Sequence, residues 1–283
     1  MKVIRTIGEL KNELNSCREN GKSIGLVPTM GALHAGHASL VERSVKENDV
    51  TVVSIFVNPT QFNDKNDLMN YPRNLDADCC LLDKVGAAIA FAPEVEEMYP
   101  EPDTRSFSFA PLDEVMEGPF RPGHFNGVAQ IVSKLFYAVE PDRAYFGEKD
   151  FQQLAIIREM VRQLGLKLDI VGCPIVREED GLAMSSRNTL LTAEERTRAL
   201  KISRTLFASL DYAEEHTLQQ TKAFVEEAIN ATEGFCLEYY QIVDGRTLQP
   251  VEQWDDSDYI VGCIALFCGK IRLIDNIKYK EVR

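Results

Sequence analysis

Two of the four histidines in this chain, His34 and His37, lie three residues apart in the string V-P-T-M-G-A-L-H-A-G-H at positions 27–37. Residues 23–27 form a short apolar run, 28–33 read as a turn, and 38–45 carry apolar residues at helical spacing. The pair therefore flanks the first turn of a helix that follows a strand. Residues three apart on a helix share a face, and the N–H groups and dipole of that turn favour a phosphate. Two imidazoles there can donate hydrogen bonds to an anion or move a proton near neutral pH. Two further strings, G-E-K-D at 147–150 and M-S-S-R at 184–187, add a lysine, an arginine and two hydroxyls, the donors a phosphate chain needs. The familiar glycine-rich signatures are missing: there is no G-x-G-x-x-G, and Gly21-Lys22-Ser23 has serine at position 16 where a phosphate loop requires glycine.

These groups must be held by a scaffold, and its rhythm is visible. Strand-like runs at 24–27, 51–57, 87–91, 143–146 and 167–176 alternate with helical patterns at 38–46, 76–85, 127–139 and 151–164. Such alternation predicts an α/β fold, a doubly wound, Rossmann-like parallel sheet over residues 1–175. Ligands in these sheets bind beyond the carboxyl ends of the strands. The histidine string, residues 58–62 and residues 146–150 all fall there.

From 176 to 283 the pattern changes. Thr192 with Glu195 and Thr217 with Gln220 each read as a capping box before an amphipathic helix, extending to 210 and over 221–231. Two β-rich runs follow, 236–243 and 259–274, separated by Asp244-Gly245 and a polar stretch. A smaller C-terminal α+β domain is the expectation.

Composition narrows the function classes. The chain has 283 residues, 45% of them apolar, which suits one large or two medium domains with an ordinary core. A net charge of −13 argues against a nucleic-acid surface, which needs clustered lysine and arginine. No run is apolar for long enough to span a membrane and residues 1–11 lack the apolar centre of a signal peptide, so a cytoplasmic protein with no membrane contact is expected. The seven cysteines include no C-x-x-C pair and read as free thiols. Of the adjacent Cys79 and Cys80, one is expected to pack in the core and the other to be partly exposed.

Taken with F-V-N-P-T-Q-F at 56–62, Y-P-R at 71–73 and R-P-G-H-F-N-G-V at 121–128, the three phosphate-binding strings closely resemble those of the pantothenate synthetase (pantoate–β-alanine ligase) family. That family belongs to the nucleotidyltransferases with an H-x-G-H motif, and the resemblance runs in order from the first strand to about residue 188. It implies that ATP activates pantoate as pantoyl adenylate with loss of pyrophosphate, after which the amine of β-alanine displaces AMP. By the same resemblance Met30, Gly31, Ala32, Leu33, His34, Ala35, Gly36 and His37 line the ATP site. Gly147, Glu148, Lys149, Asp150, Val176, Met184, Ser185, Ser186 and Arg187 hold the rest of the nucleotide. His37, His34, Lys149 and Arg187 carry the catalysis, with Mg²⁺ on the phosphates through ligands not identified. Gln61 contacts pantoate and β-alanine and Gln153 contacts pantoate, neutral bidentate groups suited to a carboxylate and two hydroxyls in apolar walls. A homodimer is implied by the resemblance alone.

Other polar residues have plainer readings beside these. Asp150 also suits a helix cap before residue 151, and Gln152-Gln153 also suits a solvent face. His124 sits in a Pro/Gly-rich segment, 118–127, that reads equally as a closing lid and as a surface loop. Arg73 and Arg121 are candidate anion contacts. Asp76 and Asp78 could approach Mg²⁺ or simply serve the dipole of their helix. His216 is expected to have no catalytic part. Two rival functions differ in class. A tRNA ligase of the same H-x-G-H group would show a basic face and a lysine-rich string in place of M-S-S-R. A non-catalytic nucleotide-binding module would have lost some of His34, His37, Lys149 and Arg187, and all four are present.

Overall fold

The structure, a computed structural model, describes residues 1–62 and 65–282, with residues 65–67 treated as backbone only. The chain divides into two compact units. The first comprises residues 1–109, 121–148 and 156–174, and the second 110–120, 149–155 and 175–283.

In the first unit six strands form a parallel sheet of order β1-β4-β3-β2-β5-β6. They are β1 (Lys2–Ile4), β2 (Ile24–Thr29), β3 (Val50–Ile55), β4 (Ile89–Phe91), β5 (Arg143–Gly147) and β6 (Asp169–Cys173). Between them run α1 (Ile7–Glu19), α2 (Ala35–Glu47), α3 (Lys65–Asn70), α4 (Leu75–Lys84), α5 (Val95–Met98), α6 (Glu117–Phe120, part of the second unit), α7 (His124–Val139) and α8 (Phe151–Leu164), whose residues 151–155 belong to the second unit. Val27 and Val53 face one core with Leu40 and Val41 of α2 and Leu82 of α4. Their strand neighbours Leu26 and Val52 are also fully buried, and side chains alternate along a strand, so both faces of the sheet are covered. Almost every residue of α7 is buried, and α7 packs against β2 and α1. Strand order reverses between β2 and β5, which puts the crevice of this doubly wound sheet at their carboxyl ends.

The second unit holds α9 (Ala193–Ala213), α10 (Leu218–Asn230) and an antiparallel sheet of β7 (Phe235–Asp244), β8 (Tyr259–Cys268) and β9 (Ile271–Glu281) in that order. Both expected capping boxes form: Thr192 Oγ1 accepts the Glu195 N–H at 3.2 Å and Thr217 Oγ1 the Gln220 N–H at 3.3 Å. Tyr240, Ile242, Ile264 and Leu266 meet Leu206 and Val225 of the helices in one core. Tyr239, Val243, Val261 and Ala265 point the other way and meet Met116, Leu248 and Phe151.

That second cluster explains why residues 110–120 belong with the later sheet although the chain passes through them early. Gln152 is buried, donates to the carbonyls of Leu112 and Val115 at 2.8 Å each, and accepts the Glu117 N–H at 2.9 Å. Arg272 of β9 pairs with Glu117 at 3.2 Å and with Glu238. A dividing line at residue 175 therefore omits two stretches, 110–120 and 149–155, that this packing recruits.

Candidate active site

The histidine string forms in the first unit as a helix entry with an unusual cap. His34 is the N-cap of α2, and its Nδ1 accepts the Gly36 N–H at 3.1 Å. His37 returns the bond, its Nδ1 accepting the His34 N–H at 3.3 Å. Two imidazoles thus make a reciprocal cap of the kind that Ser/Thr and Glu usually provide, with ring centroids 4.0 Å apart. A ring that accepts at Nδ1 must, when neutral, carry its proton at Nε2, so both histidines are fixed as Nε2–H donors. The cap also keeps the Gly36 N–H for itself.

Upstream, the turn is held almost bond by bond. Thr29 Oγ1 accepts the Gly31 N–H at 3.2 Å, and the Asp78 carboxylate accepts the Ala32 and Leu33 N–H groups at 3.0 and 2.7 Å. Gly31 has φ +81° and Ala32 φ +52°. The bend needs glycine at the first position and strains a non-glycine at the second.

Gln61 ends a short 3₁₀ turn, Pro59–Gln61, just past β3. Its Nε2 contacts Met30 Sδ at 2.9 Å, which joins it to the histidine turn. Its Oε1 accepts from Asn58 Nδ2 at 3.1 Å. Asn58 is buried, donates to the Gly127 carbonyl at 3.1 Å and accepts from Tyr99 Oη at 2.8 Å. His124 Nδ1 donates to the Gln61 carbonyl at 2.8 Å. This overturns the surface-loop reading of His124: it is buried as the first residue of α7, bracing the turn that carries Gln61. Asn58, Tyr99 and the supporting role of His124 escaped the sequence reading. Asn followed by Pro-Thr signals a capped turn, but not what it is braced against.

Gly147 ends β5, and the Glu148 N–H donates to the Cys173 carbonyl at 2.8 Å, tying that exit to β6. Arg73 is drawn to the Leu68 carbonyl at 3.0 Å, and Arg121 lends its carbonyl to the His124 N–H. Cys79 is half-buried beside the sheet core and Cys80 exposed, as expected.

In the second unit the Lys149 carbonyl accepts from Asn276 Nδ2 at 3.1 Å, and Lys149 and Ser185 line one small cavity with Asn188 and Asp275. The Met184 N–H donates to the Val176 carbonyl at 3.0 Å, closing a narrow loop over 176–184. Ser185 caps the turn Ser186–Leu190 by accepting the Arg187 N–H at 3.3 Å. Asn188 fastens this string, donating to Glu178 at 2.9 Å and to the Ala183 carbonyl at 3.1 Å. Asp150 precedes α8 and its carbonyl accepts the Leu154 N–H. Gln153 is half-buried, whereas Gln152 is wholly engaged in structure, so the two glutamines do not share a solvent face. His216 stacks on Tyr212 at 3.6 Å and its carbonyl accepts from Trp254.

A parallel sheet with an H-x-G-H string opening the helix after β2 defines a Rossmann-like nucleotidyltransferase. The family model for pantoate-beta-alanine ligase matches residues 2–278, and the chain belongs to that family. It is 72% identical over 282 residues, 100% of both chains, to the pantothenate synthetase of Bacteroides thetaiotaomicron. Pantothenate synthetase from Thermus thermophilus superposes with a TM-score of 0.93 at 45% identity, over 99% of this chain and 100% of that one. The Francisella tularensis ligase, solved with β-γ ATP and β-alanine, gives 0.81 at 34% identity over 99% and 98%.

Proposed function

We infer that this chain joins pantoate to β-alanine at the expense of ATP, through pantoyl adenylate, with AMP and pyrophosphate as the other products. The observation that carries the reading is the histidine cap, which fixes two Nε2–H donors side by side at the exit of β2. As the pantoate carboxylate attacks the α-phosphorus, charge grows on the phosphate oxygens, and preset donors answer it without reorganising. One such donor is commonly worth about 10²–10³ in rate.

The remaining assignments follow the same chemistry. His34, His37, Lys149 and Arg187 stabilise the transition state, with Ser185 and Ser186 adding hydroxyl donors. Residues Met30–His37, Gly147–Asp150, Val176 and Met184–Arg187 hold ATP, Val176 through backbone contacts near adenine and Asp150 by accepting from ribose hydroxyls. Gln61 and Gln153 bind pantoate, and Gln61 also meets β-alanine. Met30, half-buried against Gln61, gives the pocket an apolar wall for the dimethyl group.

Among the described residues no three His, Cys, Asp or Glu side chains group as a metal cage, and both Asp78 oxygens are occupied by N–H groups. Mg²⁺ ordinarily keeps several waters and binds through substrate phosphates, so the residues fit an ion that arrives with ATP. It would supply charge neutralisation on the triphosphate. No described helix is long and apolar enough to cross a membrane. A cytoplasmic homodimer is part of this proposal, and sedimentation of the purified chain tests the dimer.

Isotope transfer tests the reaction. Pantoate labelled with oxygen-18 in its carboxylate should give labelled AMP, because the oxygen that bonds to the α-phosphorus leaves with it. Label in inorganic phosphate, with ADP as co-product, would mean attack at the γ-phosphorus and would overturn the assignment.

A further inference from the structure

Asp78 has no role in the reaction derived above, yet it is only 3% exposed in the first turn of α4. A carboxylate near a helix start ordinarily serves the dipole from the surface, and the cap of α4 is already supplied by Asn74, whose Oδ1 accepts the Ala77 N–H at 3.1 Å. Burying a carboxylate costs several kcal/mol unless its lone pairs are satisfied. Burial pushes the Asp78 carboxyl up, and the Leu33 and Ala32 N–H groups only partly oppose it. What the burial secures is a conformation. The two accepted N–H groups belong to a bend with two successive residues at positive φ, Gly31 and Ala32, the second a strained position for a non-glycine. His34 follows directly, and its own N–H is the one that His37 accepts.

We propose that Asp78 is a positioning residue for adenylate formation, its carboxylate clamping the Ala32 and Leu33 N–H groups so that His34 and His37 enter α2 with their Nε2–H donors aligned. The proposal rests on the functional reading above. Gly31 is the matching half of the device, because a Cβ there would stand 2.9 Å from Asp78 Oδ2 and 3.1 Å from Ile55.

Single-turnover kinetics with burst titration separates positioning from mere structural support. Asp78→Asn keeps the side-chain shape but turns an N–H donor toward one of the two backbone donors. Expected is a rate constant for pantoyl adenylate formation lowered about 100-fold per active site, since misplacement by ~1 Å has that effect. The burst amplitude and the pantoate Kd should stay close to wild type. A lowered amplitude with an unchanged rate constant per site would mean a purely structural role and overturn the proposal. Should Asp78→Asn not fold, Gly31→Ala decides: a lowered rate constant at full amplitude supports the clamp, and a wild-type rate constant overturns it. A wild-type enzyme that makes no pantoyl adenylate would instead bring down the functional reading, and the clamp's catalytic role with it.

Discussion

Gly127→Ala tests how the candidate pantoate glutamine is held. A Cβ at position 127 would lie 2.4 Å from the Thr60 carbonyl oxygen and 2.8 Å from Gln61 Cα, whereas ordinary contact begins at 3.4 Å. Helix α7 and the turn Pro59–Gln61 must therefore separate by about 1 Å, comparable to other overpacked contacts, which cost ~1–3 kcal/mol. That movement stretches two bonds made across the contact, Asn58 Nδ2 to the Gly127 carbonyl at 3.1 Å and His124 Nδ1 to the Gln61 carbonyl at 2.8 Å. Each is worth ~1 kcal/mol, so the total loss of stability should be about 3–5 kcal/mol if the contact cannot relax. Gln61 moves with its turn, and one ligand hydrogen bond lost or bent should weaken pantoate about tenfold or more. Denaturant unfolding and calorimetric titration with pantoate and with a non-hydrolysable ATP analogue measure the three quantities. ATP affinity should hold. Lower stability with unchanged pantoate affinity would refute the link from Gly127 to Gln61, and no change in either would refute the close contact itself.

Other substitutions probe the rest of the arrangement. His34→Asn retains a good N-cap but supplies no Nε2–H, so stability should change little while adenylation slows by about 10²–10³; equal loss of both would mean that the ring serves only the helix. Gln152→Ala should destabilise by ~2–4 kcal/mol because two carbonyls and an N–H lose their partner, and Gln153→Ala should leave stability alone and raise the pantoate KM; the reverse pattern in unfolding and kinetic assays would exchange their roles. Asp103 is held down to about 2 by Arg105 above all, with Lys134 beside it. Its folded value lies below the unfolded one, so its contribution is present above the ordinary carboxylate range and fades as pH falls toward about 2. Urea unfolding of Asp103→Asn at about pH 6 and about pH 2.5 should show a difference from wild type that shrinks at the lower pH; a difference independent of pH would count against the ion pair.

The sheet and the histidine string of the candidate site are legible in the sequence because both leave periodic or punctuated traces. Strands β2 to β6 carry apolar runs, and the histidine string sits between a strand and a helix. By contrast β1 buries only Ile4 of its three residues, too short for any alternation, and α1 buries only Leu10 and Leu14. The run 259–274 looked like one strand because β8 is apolar on both faces; the hairpin that splits it at Gly269 and Lys270 has only one glycine, at φ +58°, to reveal it. Gln61 could be found from its string, but the residues that set its position could not. Asn58, Tyr99, His124 and Gly127 are scattered over 69 positions of separation, and Asp78 is 45 residues from the backbone it holds. Only the folded sheet brings them together.

The histidine cap also limits what evolution can do at two positions. Serine, threonine, asparagine and aspartate cap helices well, but none carries a rigid second donor on the far side of the same ring. Lysine and arginine donate strongly, yet neither offers a lone pair to a backbone N–H. An imidazole joins an acceptor and a donor on opposite edges of one rigid ring, whereas the carboxamides of asparagine and glutamine do so on a shorter or more freely turning arm, so under the proposed reaction folding and chemistry at positions 34 and 37 are hard to trade against each other. Under the proposed function, drift that spares the helix forfeits the reaction, and drift that keeps a cation uncaps the helix. Mutational libraries at these two sites should therefore collapse to a single residue type for activity while tolerating several for expression.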